Sequence, residues 1–335
     1  MTEFILAILG ICLLLYVLLG GADFGGGILE LLDREKDSGI VAKAIAPIWE
    51  ANHVWLILVV VILFVGFPDV YSTILIALHI PVLLTLIGII LRGSAFTFRH
   101  YDIEEARPQA IYSSIFRFSS LFTTFFLGVT VGAIILGHIS LDYSQGFYMI
   151  YLHPWLNLFC FSLGLFLIIL FSFLANIYTV GEVTDENHVP RFTGMGKNLL
   201  IALVFSGFLV FLAAEFEGLP LFSEFYHSPL SIAGIVLATL AVPLLWINLN
   251  RNNRNTVRII AAFQTTMIVM GWFAIQFPIL VKIQGGEDIT YQNSSAPQQT
   301  QLHLLIALVV GVLFIFPSMG FLYKVFKFNE KATKS

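Results

Sequence analysis

The sequence predicts an all-α integral membrane protein of nine transmembrane helices, and three observations carry that expectation. Hydrophobic residues fill 58% of its 335 positions and charged residues 11%, with mean hydropathy +0.89. Such a composition lies outside that of soluble domains. Nine apolar runs approach the roughly 20 residues needed to cross about 30 Å of hydrocarbon: residues 4–32, 45–66, 73–91, 114–137, 154–177, 198–214, 229–247, 258–281 and 303–323. The third observation is charge. Arg34, Lys36 and Lys43 follow run 1; Arg92, Arg99, Arg107 and Arg117 follow run 3; Arg191 and Lys197 follow run 5; Arg251, Arg254 and Arg258 follow run 7; Lys324, Lys327, Lys331 and Lys334 fill the tail. Only Lys282, of 17 basic residues, falls on the other side. The positive-inside rule then sets the amino terminus outside and the carboxyl terminus in the cytoplasm, with an odd number of spans.

Scattered cations and a net charge of -4 argue against a nucleic-acid partner. Cys12 and Cys160 both fall inside apolar runs, so neither a disulfide framework nor a CxxC metal site is expected. Met1-Thr2-Glu3 lacks a basic signal region, and the first run is expected to be retained.

Run 1 contains Gly20-Gly21-Ala22-Asp23-Phe24-Gly25-Gly26-Gly27 in its inner half. Small residues let helices approach closely; with no preceding strand and no following Lys, a phosphate loop is not supported. Asp23 is an acid within a span. Run 2 opens with Pro47-Ile48-Trp49-Glu50-Ala51-Asn52-His53-Val54-Trp55. An ionised carboxylate in hydrocarbon costs roughly 2.5–3.5 kcal/mol, so Glu50 is a functional candidate. Helical spacing turns Glu50 and His53 (i, i+3) toward one interior, with Asn52 able to join them, while Trp49 also suits the interfacial aromatic belt.

Run 3 is expected to hold His79 in its outer half and Arg92 at its cytoplasmic end, within reach of Asp23 or Glu50 or else snorkelling to headgroups. Arg99, His100, Arg107 and Arg117 read as topology-setting charge. Runs 5–8 carry polar residues mainly at their ends, among them His153, Asn157, Asn176, Gln264 and Gln276, and run 6 is the shortest. The Ser-, Gln- and Asn-rich stretch 285–301 is expected to be flexible.

Haem ligation needs His, Met or Cys facing one cavity. His53 and His79, the histidines well within runs, are expected toward opposite membrane faces, so a bis-His site is disfavoured. Glu50 and His53 supply half of a di-metal carboxylate motif, but no second copy lies within a span. No metal site is expected. What remains is proton chemistry through Glu50, Asp23, His53 and Arg92, in a relay or in an independent proton-coupled secondary transporter; the absence of a clear inverted repeat counts against the transporter.

At these residues the chain resembles subunit II of the cytochrome bd-type quinol oxidases, also called cyanide-insensitive oxidases. The resemblance rests on Gly21-Ala22-Asp23-Phe24-Gly25, Ala46 to Leu56, Phe67-Pro68-Asp69-Val70-Tyr71, and Leu91-Arg92-Gly93 followed by Phe98-Arg99. It implies one membrane domain over 1–335: a four-helix bundle over about 4–137, a second over about 154–281, and a peripheral helix at 303–323. It implies a partner subunit I holding two haems b, one haem d and the quinol site, with no axial ligand from this chain. It also leaves room for small single-helix subunits and for a bound quinone or lipid. The implied reaction oxidises quinol, reduces oxygen to water and draws protons from the cytoplasm across a bacterial or archaeal membrane. Glu50 and Asp23 take the proton-delivery positions, and Trp55 lies near an oxygen access route or interface. Glu50 and His53 stand where other members carry Asp and Gln.

Overall fold

Hydrocarbon offers no partner for backbone N–H and C=O groups, so each apolar run closes its hydrogen bonds internally as a helix. The computed structural model describes residues 1–33, 41, 49–101, 106–183 and 187–332, of which 49–51, 100, 101, 106, 107, 319 and 322–332 through the backbone alone. The side chains of Glu50, Trp49, Arg34, Lys36, Lys43, Arg107 and the tail lysines lie outside the described residues.

Helix α1 (Thr2–Leu32) is interrupted by a wide π turn at Tyr16–Gly20. After α2 (Trp49–Gly66) the chain bends by 112° into α3 (Pro68–Ala77). Pro68 suits the first turn of α3, where an N–H has no intrahelical partner. A break at Leu78 separates α3 from α4 (His79–Tyr101). Pro81 explains it: its ring collides with the carbonyl four residues earlier and it has no N–H to donate. The span expected at 73–91 therefore moves to His79–Arg99. His79 becomes the first residue of α4, and Arg92 moves from the expected cytoplasmic end into the helix interior.

Helix α5 (Ala106–Leu136) and a short α6 (Phe147–Tyr151) lead to α7 (Leu158–Glu182), where the Asn157 side chain accepts the Cys160 N–H at 2.9 Å. Helix α8 (Val189–Phe216) has 28 residues, although its run read as the shortest. Its first turns carry Arg191 and Lys197, which hydropathy counts against a span while the backbone stays helical. Then come α9 (Leu221–His227), α10 (Pro229–Asn250), α11 (Arg254–Gln276) and α12 (Gln298–Ala332). Among the described residues eight helices are long and apolar enough to span a membrane, or nine when the bent pair 52–66 and 68–77 counts as one. Gln264 lies midway along α11, not at an end.

The stretch expected to be flexible is folded. Helix α11 stops before Pro278, strand β1 (Ile279–Val281) pairs antiparallel with β2 (Ile289–Thr290), and Ile283 pairs with Ile139. Its polar side chains are consumed by turns: the Asp288 carboxylate accepts the Ile283 N–H at 2.8 Å and Asn293 Oδ1 accepts the Thr290 N–H at 2.8 Å. Lys282, the cation outside the pattern, pairs with Glu224 at 3.0 Å.

Helix ends sort into two faces. At one, Arg99 pairs with Glu30, Arg191 with Asp33, and Arg258 with Glu182; this is the basic face. At the other, the hairpin meets Ile139, and Ala296 N–H reaches the Gly66 carbonyl at 2.9 Å. Between the faces α7 packs on α1, α5, α8 and α11, while α2 lies against α1 and α12. Glycine makes the α1–α7 contact: a Cβ at Gly25 would overlap the Phe171 carbonyl.

Candidate functional site

The second half of α1, the start of α2, the middle of α4 and α5 converge on Asp23. Asp23 and Arg92 are each 1% exposed. Arg92 Nη2 donates to Asp23 Oδ1 at 2.8 Å and to the Asp23 backbone carbonyl at 2.9 Å, and Nε donates to Ser120 Oγ at 3.0 Å. Ser120 in turn donates to the Phe116 carbonyl at 2.7 Å. The guanidinium carbon stands 4.7 Å from the Phe24 ring centre and 4.9 Å from that of Phe116. A planar cation with several fixed donors can be buried this way because its edge is hydrogen-bonded and its faces meet aromatic π clouds. Removing one partner of a buried pair leaves the other charge uncompensated, at about 3–5 kcal/mol.

Asp23 Oδ2 receives no hydrogen bond from a described residue. His53 Nε2 lies 3.7 Å from it, and the His53 ring meets Phe24 edge-on at 5.8 Å. Asp23 thus has two unlike oxygens: one locked by Arg92, the other turned toward an imidazole. The buried hydroxyl of Tyr16, a residue of the π turn, also makes no hydrogen bond with a described residue, and its ring meets Phe24 at 6.5 Å. Asn52 Nδ2 donates to the Leu19 carbonyl within that same turn at 3.2 Å. Wide turns of this kind gather at functional sites.

Of the residues predicted from sequence, Asp23, His53 and Arg92 come together. Arg92 neither snorkels nor sits at a helix end. Glu50 and Trp49 have helical backbones at the start of α2, and their side chains lie outside the described residues. Trp55 is buried at 4% exposure, edge-on to Phe316 of α12. Ser120, Phe116, Phe24 and Tyr16 were missed. Tyr16, seven residues before Asp23, carried a helical-spacing signal; Ser120 carried none apart from being a hydroxyl in an apolar run.

His53 Nε2 faces Asp23, while His79 Nδ1 lies 3.0 Å from the Ile76 carbonyl and its ring packs on Tyr151. Among the described residues no cluster of three His, Cys, Asp or Glu forms a metal site.

The family model for cytochrome bd terminal oxidase subunit II matches residues 1–326. The chain belongs to that family. It is therefore a subunit of a membrane oxidase complex and has a subunit I partner, and the independent-transporter reading finds no support. Cytochrome bd ubiquinol oxidase subunit 2 of Bacillus subtilis (strain 168) is 24% identical over 325 residues, covering 93% of this chain and 91% of that one. Cytochrome bd-I ubiquinol oxidase subunit 2 of Escherichia coli (strain K12) is 27% identical over 188 residues, covering 53% of this chain and 45% of the relative. The bd oxidase structure from Geobacillus thermodenitrificans shares the fold, with TM-score 0.77 and 17% identity over 98% of this chain and 99% of that one.

Proposed function

We propose that this bd oxidase subunit II carries protons from the cytoplasm toward the haems of its partner, in a complex that oxidises quinol and reduces oxygen to water. Glu50 takes up the proton, His53 passes it on, and Asp23 receives it at Oδ2. Arg92 is a positioning residue: by occupying Oδ1 it leaves one defined oxygen for exchange. The carrying observation is that buried Oδ2, without a hydrogen bond from a described residue, lies 3.7 Å from His53 Nε2. An acid kept inside a membrane span with an imidazole beside it is the composition of a proton relay.

In this reading two haems b, one haem d and the quinol site belong to subunit I. Quinol as the reductant follows the ubiquinol oxidase names of the relatives. The basic face lies in the cytoplasm of a bacterial cell, so the amino terminus is outside. Residues 4–137 and 154–281 act as two four-helix units joined through α7, with the last helix peripheral. Trp55, in an apolar setting with Phe316, lines an oxygen access route.

The test is Glu50→Gln in the assembled complex. Oxygen reduction is expected to slow roughly tenfold or more, the scale of losing a proton-transfer group, with haem content and subunit ratio unchanged. Full turnover in a correctly assembled variant would reject the relay.

A further inference from the structure

Away from the Asp23 cluster, a groove of about 360 Å³ opens between α10 and α11, lined by Leu237, Leu240, Leu244, Ile259 and Phe263 around the buried Ala241. We propose that this groove holds one acyl chain of an anionic phospholipid whose phosphate binds at the Arg251–Arg254 turn.

The helices themselves set its shape. Toward the opposite face they touch backbone to backbone, since a Cβ at Gly234 would stand 2.9 Å from the Met267 carbonyl and 3.2 Å from the Gly271 Cα. Ser231 Oγ donates to the Gly271 carbonyl at 3.1 Å, tying that end shut. Nearer the basic face the facing pair is Ala241 against longer side chains, and a groove remains.

Charge identifies the occupant. Lys197, Arg251, Arg254 and Arg258 gather at the basic ends of α8, α10 and α11, and of the described carboxylates only Glu182 pairs with any of them, taking Arg258 at 2.9 Å. The Arg251 side chain is exposed and makes no hydrogen bond or ion pair with a described residue. Arg254 spends Nη1 on the Val183 carbonyl at 2.8 Å, leaving other donors for a ligand. Lys197 lies 5.5 Å from the Trp246 ring, the aromatic type favoured at a membrane interface. Arg251 follows Leu244 by seven residues and Arg254 precedes Ile259 by five, so the cations stand roughly 7–11 Å along the helix axes from the groove wall. A hydrocarbon slot ending beneath uncompensated cations matches one chain and the phosphate of a single lipid molecule, as basic sites between membrane helices do. This inference is independent of the proton relay.

The experiment uses the purified complex, stripped of lipid and reconstituted with equal phosphatidylglycerol and phosphatidylcholine, and counts retained lipids by native mass spectrometry. The wild type is expected to retain phosphatidylglycerol about tenfold over phosphatidylcholine at this site. Replacing both arginines (Arg251→Gln with Arg254→Gln) brings that ratio to parity. Ala241→Phe fills the slot and removes the lipid although every cation is kept, which distinguishes an acyl-anchored lipid from a phosphate bound by charge alone. Should Ala241→Phe not assemble, Leu240→Trp at the exposed wall makes the same test. No headgroup preference in the wild type, or a preference untouched by the variants, overturns the proposal.

Discussion

Arg92 Nη2 donates to Asp23 twice, to the carboxylate at 2.8 Å and to the backbone carbonyl at 2.9 Å, so one guanidinium holds both the charge and the helix that bears it. A bond to the carboxylate alone would let the side chain swing. The added main-chain bond ties α1 to α4 at the depth of the acid.

Asp23→Ala is expected to cost about 3–5 kcal/mol, because Arg92 is left as an unpaired buried cation. Adding Arg92→Met should recover much of that loss. Thermal unfolding of the four members of this double-mutant cycle checks it, and additive losses would mean the pair is not coupled.

Ser120→Ala removes the acceptor of Arg92 Nε without touching Asp23. A buried donor left unsatisfied costs about 1–3 kcal/mol. The complex should still assemble, with a lowered melting temperature. Ser120→Thr, which keeps the hydroxyl, should behave closer to wild type.

Gly25→Ala places a methyl on the Phe171 carbonyl. Backbone cannot yield as a side chain can, so the cost is at or above the about 1–3 kcal/mol usual for overpacking. Gly194, whose Cβ would meet nothing within 4 Å, is the control. Assembly yields should fall for Gly25→Ala and hold for Gly194→Ala.

His138 and His153 stack at the face opposite the basic one, ring centres 4.8 Å apart. Burial pushes the His138 imidazole below its ordinary value of 6.5, neighbouring His153 lowers it further, and Glu217 opposes both. The folded protein then binds fewer protons here than the unfolded chain, so this contribution to stability is present above pH 6.5 and is lost as pH falls below it. Protection factors across residues 137–157, with the intrinsic fall of amide exchange rate with pH divided out, should drop on acidification in the wild type, and this response should shrink in His138→Phe. An unchanged pH response in the variant would assign the effect elsewhere.

Charge in hydrocarbon is a demand for partners, which is why Asp23, His53 and Arg92 could be picked out of the sequence. The depth of Arg92 could not. It depends on Pro81 breaking the third run at Leu78, and hydropathy averages over such a break. Ser120 escaped for a different reason, since a serine that returns its proton to the preceding turn looks the same whether or not its oxygen serves a neighbour. The length of α8 was hidden by Arg191 and Lys197, and the 279–290 hairpin by a composition that fits a loose linker and a tightly bonded turn equally well.

The π turn at Tyr16–Gly20 stores one residue more than an ordinary coil of helix has room for. Winding the same residues as an ordinary α-helix would spend the spare residue and swing everything after it by about 100° about the axis. Ile5 and Leu9 would keep their neighbours while Asp23 rotated away from Arg92. The acid's bearing is thus set by an offset between two halves of one rod, and a change in winding, with no polar residue altered, is enough to dismantle the cluster.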